Sequence, residues 1–141
     1  MPLVFFVNTM LIAAVVLIHY EFLYRATLYI PKSKIKHRYR IVFGVFAALI
    51  AHAVEVWVFA VAYYEMHHAN NWGQLSGSFG GSLMDCAYFS FTVFTTLGFG
   101  DIVANGDLRY TTGIESLTGL VLITWTASFL YLEMRSQWNR E

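Results

Sequence analysis

Three long apolar runs organise the chain, at about Leu3–Tyr24, Ile41–Tyr64 and Thr112–Met134. At 1.5 Å per residue a helix over each reaches on the order of 33–36 Å, enough to cross a hydrocarbon core of about 30 Å with some tilt. A fourth apolar run, Leu83 to Thr95, contains no Gly or Pro. It is preceded by Ser82, with Asp85 three residues on, the pattern of a capping box that starts a helix. At roughly 20 Å this helix is too short to span and suits a re-entrant segment, which needs other protein around it. Glu65 to Ser82, rich in His, Asn, Gly and Ser, reads as a loop.

Composition turns these helices into membrane helices. Of 141 residues, 57% are apolar and only 13% charged, against roughly 25% in a soluble domain. A soluble chain this short would leave much of that apolar surface in water, whereas lipid accepts it. The expected fold is therefore an all-α membrane protein, multi-pass in an inner or plasma membrane. Net charge is zero, which gives no footprint for nucleic acid. Arg25, Lys32, Lys34, Lys36, Arg38 and Arg40 lie between the first two spans, and Arg135 and Arg140 follow the third. The positive-inside rule then predicts a cytoplasmic 25–40 loop and C-terminus and an outside N-terminus. Pro31 breaks any helix continuing from the first span. The basic loop is expected to contact anionic lipid headgroups. The first run lacks a basic flank before it, so it is read as a retained span rather than a leader. Lone Cys86 is expected only to pack.

The most specific stretch follows the short helix: Thr95-Thr96-Leu97-Gly98-Phe99-Gly100-Asp101. A dehydrated cation needs several oxygens at fixed distance, and stacked rings of backbone carbonyls from four copies of a narrow loop can supply them. The carbonyls share one axis only if the backbone alternates hand, which Gly98 and Gly100 permit. Thr96 can add a ring of hydroxyl oxygens. The side chains of Leu97 and Phe99 are expected to turn away from the ions and pack behind the loop. The C-terminal end of the short helix carries the negative end of its dipole and favours a cation there.

Tyr88 to Asp101, YFSFTVFTTLGFGD, resembles the pore helix and signature filter of the tetrameric potassium channels, whose usual motif TVGYGD reads TLGFGD here. The resemblance is to the small bacterial members with one pore loop per chain, and one loop per chain implies a homotetramer. Together with the three transmembrane helices read from the apolar runs, it implies a re-entrant pore helix and selectivity-filter loop, the first span lying outside the minimal two-helix pore. Residues 1–40 would be an extra N-terminal helix and basic loop, and 41–141 the pore domain, with outer helix 41–64, pore helix 83–95, filter 96–101 and inner helix 112–134. It further implies passive conduction of K+, transport without catalysis or an organic cofactor. Thr96, Leu97, Gly98, Phe99 and Gly100 would form the filter, with K+ held at 96–99. Tyr88, Thr92, Thr95 and Asp101 would support it, Tyr88 as an aromatic donor to Asp101. Thr92 stands where some members carry a carboxylate. Gly119 falls at the inner-helix gating glycine, either a hinge or a packing residue. Leu120, Ile123, Ala127 and Tyr131 recur at helical spacing and would face the inner cavity; otherwise Thr118, Thr124 and Thr126 face water. Tyr131 or its neighbours would form the cytoplasmic constriction.

Other polar residues carry less specific expectations. His52 and Glu55 share a helix face in mid-span, a possible intramembrane proton or metal sensor or a buried polar pair bonding to the pore helix or third span. His19 and Glu21 read as interfacial. His67 and His68 offer two metal ligands, too few alone. Glu115 pairs with Arg109 at the outer mouth or is a solvated rim charge. The alternatives in function are a weakly selective monovalent cation channel and a histidine-rich membrane metalloprotein using His19, His52, His67 and His68, whose expected depths disagree.

Overall fold

The computed structural model describes residues 2–29, 37–69 and 71–138. Over them run α1 (Pro2–Tyr29), α2 (His37–His68), β1 (Leu75–Gly77), α3 (Leu83–Phe94), β2 (Ile102–Ala104) and α4 (Leu108–Trp138). α1, α2 and α4 are long and apolar enough to cross a membrane, whereas the apolar α3 has 12 residues. The chain is thus a helical membrane protein with one short helix set among three long ones.

Each long helix overruns its apolar run. α1 ends at Tyr29 rather than Tyr24, α2 spans His37–His68 rather than 41–64, and α4 spans Leu108–Trp138 rather than 112–134. Hydropathy marks the part of a helix matched to lipid, while backbone hydrogen bonding continues through polar turns. Arg25 lies in such a turn, bonded to Glu21 one turn earlier at 2.6 Å. The outer segment also departs from an all-helical reading. β1 pairs antiparallel with β2, Leu75 opposite Ala104 and Gly77 opposite Ile102. This ribbon joins stretches far apart in sequence, so no local pattern announces it. Residues 30–36, with Pro31 and three of the loop lysines, and Arg140 lie outside the described residues.

α1 buries Val4, Asn8, Val15, His19, Leu23 and Ala26, spaced mostly by three or four residues and so on one face. It packs on α2 and α4, so the first span is part of the bundle's interior rather than an appendage. α2 presents Ala48, Ala51 and Ala60 at the packed face, where small side chains let helices approach closely in lipid. Phe6, Leu17, Phe46, Leu49 and Leu132 stay exposed, an apolar exterior suited to acyl chains. α3 is wedged between α2 and α4: Phe89 meets Tyr63 edge-on at 5.0 Å and Ser90 donates to the Val56 carbonyl at 2.9 Å. On the other side, a Cβ at Gly119 of α4 would collide with the Phe94 carbonyl oxygen. Gly119 is therefore needed where α4 crosses the end of α3, and α4 runs unbroken through it.

Candidate functional site

The site begins with the capping of α3. Ser82 Oγ accepts from the Asp85 N–H at 3.1 Å, and Asp85 accepts from the N–H groups of Ser82 and Gly80 at 3.3 and 3.0 Å. The Ser82 bonds hold the exposed Asp85 carboxyl below the usual carboxylate range. At the far end Thr95 Oγ1 donates to the Phe91 carbonyl at 2.6 Å, and the N–H groups of Thr96 and Gly98 bond to Val93 and Thr92 oxygens at 2.9 Å. Thr92 itself is buried, with its hydroxyl on the Phe89 carbonyl. The loop that follows is therefore tied to the last turn of α3.

Within it φ is positive at Thr96 (61°), Gly98 (51°) and Gly100 (79°). Hand alternates over three positions, one more than the glycines alone suggest. A left-handed threonine costs about 1–2 kcal/mol, strain of the kind stored at functional sites. After the loop, Tyr88 on α3 donates to Asp101 Oδ2 at 2.8 Å, a bond that raises the Tyr88 hydroxyl pKa. The Asp101 carbonyl accepts from Ser78 N–H at 2.8 Å, joining the loop to the segment after β1. The Phe99 ring stacks toward Tyr88 at 6.5 Å. Leu97 and Phe99 are otherwise open within one chain, so the expected packing behind the loop is not supplied by the chain itself. A cavity of about 290 Å³ touches Thr92, Gly98, Gly100, Ile102, Arg109 and Thr112.

A sequence model described as ion channel matches residues 51–135, more than half of the chain. The chain belongs to the ion-channel family. The match runs from the middle of α2 through the capped helix, the TLGFG loop and most of α4, and leaves α1 outside. Comparison with curated proteins and with solved structures gave no match.

On α4, Leu120, Ile123, Ala127 and Tyr131 are exposed within one chain. The alternative water-facing set is split. Thr118 and Thr126 are buried, and Thr124 returns its hydroxyl to Leu120 and Val121 carbonyls. Glu115 is not a rim charge. It is fully buried, where it meets the Ser90 hydroxyl and accepts from the Tyr63 hydroxyl at 2.6 Å. Thr92 is no carboxylate, yet a carboxyl stands behind the pore helix, contributed by α4.

Half-buried His52 and buried Glu55 do form a pair, and of the two expected partners it meets the third long helix, through Thr126, and not the short helix; it also meets α1. Glu55 Oε1 lies 2.8 Å from His19 Nδ1 and Oε2 lies 2.9 Å from His52 Nδ1. Thr126 Oγ1 stands 3.4 Å from His19 Nε2 and 3.0 Å from His52 Nε2. His19 is thus buried rather than interfacial, and the depths assigned to His19 and His52 were wrong to disagree. His67 and His68 do not join them: their Nδ1 atoms meet the Leu75 N–H and the Tyr64 carbonyl. Ligand atoms of His19, His52 and Glu55 lie within 4.8 Å of one another, so the set could be imagined around a cation. The 2.8 and 2.9 Å separations are those of shared hydrogens, whereas ligands at about 2.0–2.2 Å from a metal stand farther apart. It is a hydrogen-bonded cluster.

Neighbouring helices explain the misses. His19 lies ten residues before the end of α1 and is covered by α2 and α4. Glu115 lies within α4 and is covered by Tyr63 of α2 and Ser90 of α3, so each is buried by partners far away in sequence. The buried spacing of Val15, His19, Leu23 and Ala26 is the signal that was available in the sequence.

Proposed function

We propose that four copies of this ion channel assemble around one axis and conduct K+ passively and selectively. The carbonyls of Thr96, Leu97, Gly98 and Phe99, with the Thr96 hydroxyl, replace the hydration shell of the ion. Asp101, held by Tyr88, anchors the outer end, and Thr92 and Thr95 fix the inner end to α3. The alternate left-handed residues 96, 98 and 100 at the end of the capped helix carry this reading. Irregular backbone at membrane depth is not tolerated against lipid, and Leu97 and Phe99 lie open in a single chain. Neighbouring copies that close the ring supply the cover. Leu120, Ile123, Ala127 and Tyr131 then face the shared inner cavity, with Tyr131 at its narrow end. The helices α2 to α4 make the pore domain, the N-terminus faces outward, and the 25–40 loop and C-terminus face the cytoplasm beside anionic headgroups.

The test is reconstitution in liposomes under opposed potassium and sodium gradients, with cross-linking to count subunits. A reversal potential that follows the potassium gradient, from a tetramer, is expected. A potential that follows both ions equally would instead favour the weakly selective channel that Leu97, in place of the usual valine, keeps as the rival.

A further inference from the structure

The His19–Glu55–His52–Thr126 cluster takes no part in the filter, and its hydrogens can be counted. Three close contacts of 2.8–3.0 Å hold it, each Glu55 oxygen to one imidazole Nδ1 and the Thr126 hydroxyl to His52 Nε2, and a longer fourth at 3.4 Å sets the Thr126 hydroxyl opposite His19 Nε2. Thr112, Thr118 and Thr124 on the same helix all give their hydroxyl hydrogen to the carbonyl four residues back. Thr126 differs, its contacts among the described residues being the two imidazoles. Four contacts need four hydrogens. An ionised Glu55, two neutral imidazoles and one hydroxyl supply three, one from each ring and one from the oxygen. One contact would then set two lone pairs against each other, and a net negative charge would sit in the bundle's interior with no lysine or arginine ion-paired to it among the described residues.

One added proton completes the set and cancels that charge. It does so from either ring or from the carboxyl, so it belongs to the cluster and not to a residue. We propose that this cluster is a one-proton binding site that latches α1 and α2 to the inner helix α4. Trp125 of α4 packs on His19 at 5.2 Å, and Phe94 of α3 packs on His52 at 5.7 Å. Phe94 is the last residue of α3, so the latch bears on the foot of the filter as well as on α4. The other titratable groups nearby are engaged elsewhere: Glu21 with Arg25 on the exposed side of α1, Glu115 with Tyr63 and Ser90. Only the effect on ion flux rests on the channel reading; the latch itself does not.

Glu55→Gln provides the missing hydrogen permanently. Its amide donates to one Nδ1 and its oxygen accepts from the other, and two neutral imidazoles then satisfy all four contacts. The test follows thermal unfolding and cation flux of the full chain in liposomes across about pH 5–9, the range in which histidine sites titrate. In the wild type the ratio of latched to unlatched protein should fall about tenfold per pH unit once the proton is released, with a falling melting temperature and altered flux. In a Glu115→Gln background, where the second buried carboxyl contributes no proton of its own, Glu55→Gln should keep the low-pH flux throughout and lose the cluster's share of the melting-temperature change. Thr126→Val should behave as unlatched at every pH, and Thr126→Ser should restore the wild-type response. The same pH dependence in wild type and Glu55→Gln overturns the proposal. So does stabilisation by Zn2+ that Glu55→Gln abolishes, which would make the cluster a metal site. Absence of flux in every variant, with the melting contrast intact, counts against the channel and leaves the latch standing.

Discussion

Among the described residues two carboxyl groups are fully buried, Glu115 beside α3 and Glu55 on α2. Glu115 is ringed by hydroxyls. Ser90 has one hydrogen and two acceptors, Glu115 and the Val56 carbonyl, so the set closes when Glu115 brings a hydrogen of its own. Glu55 also needs one hydrogen more than its partners supply, but its partners are imidazoles. The proton at Glu115 has one place to rest; that at Glu55 has three. The same residue type at similar burial thus acts in one place as a brace and in the other as a switch. What decides between them is whether the neighbours can titrate.

The comparison fails altogether if the contact shared by both regions is removed. Gly119→Leu drives a side chain into the Phe94 backbone, between the Ser90–Glu115 set and the His52 ring. Overpacking of about 3 kcal/mol is expected, seen as lost folded yield and lost flux together. Next in size, Glu115→Ala leaves the Tyr63 and Ser90 hydroxyls short of a buried partner. A loss of about 1–3 kcal/mol should appear in thermal unfolding, with the Glu55-dependent response of ion flux to pH unchanged. The same Glu-to-Gln exchange at both sites then separates brace from switch. Because Glu115 holds its hydrogen in the fold and loses it on unfolding, Glu115→Gln should keep near-native stability in acid and lose that group's own share of the alkaline fall in stability. It should keep the pH response of flux, whereas Glu55→Gln should keep stability and lose the flux response.

The smallest effect belongs to the helix start. Ser82→Ala should cost about 1 kcal/mol through the cap. Because the folded Asp85 carboxyl lies below its unfolded value, its support is present above the unfolded pKa and is lost as pH falls through the folded one. The Asp85 contribution should therefore appear in acid, below about pH 4, where melting curves of the wild type and Ser82→Ala would show it.

The half of the molecule around α3 and its loop was legible because its signals are local. Ser82 and Asp85 lie three residues apart, Tyr88 and Asp101 flank one helix and one loop, and the TLGFG stretch needs only its own glycines to suggest an alternating backbone. The other half was not legible. His19 and Glu55 are 36 residues apart and Thr126 and His19 are 107, so no spacing rule joins them. The left-handed Thr96 was missed for the opposite reason, since a side chain normally forbids that conformation and only the surrounding anchors impose it.

By itself the sequence determined that this chain is a membrane protein, that three of its helices are long and apolar enough to cross, and that a capped half-length helix leads into a glycine-alternating loop. Those properties follow from apolar length and from residues within one or two turns of each other. Tertiary structure alone decided which polar groups meet. Helix ends run past the apolar stretches because hydrogen bonding and packing set them, and which side chains are buried depends on which helices lie against them. A buried carboxyl becomes a brace or a switch through neighbours that only the packed bundle supplies.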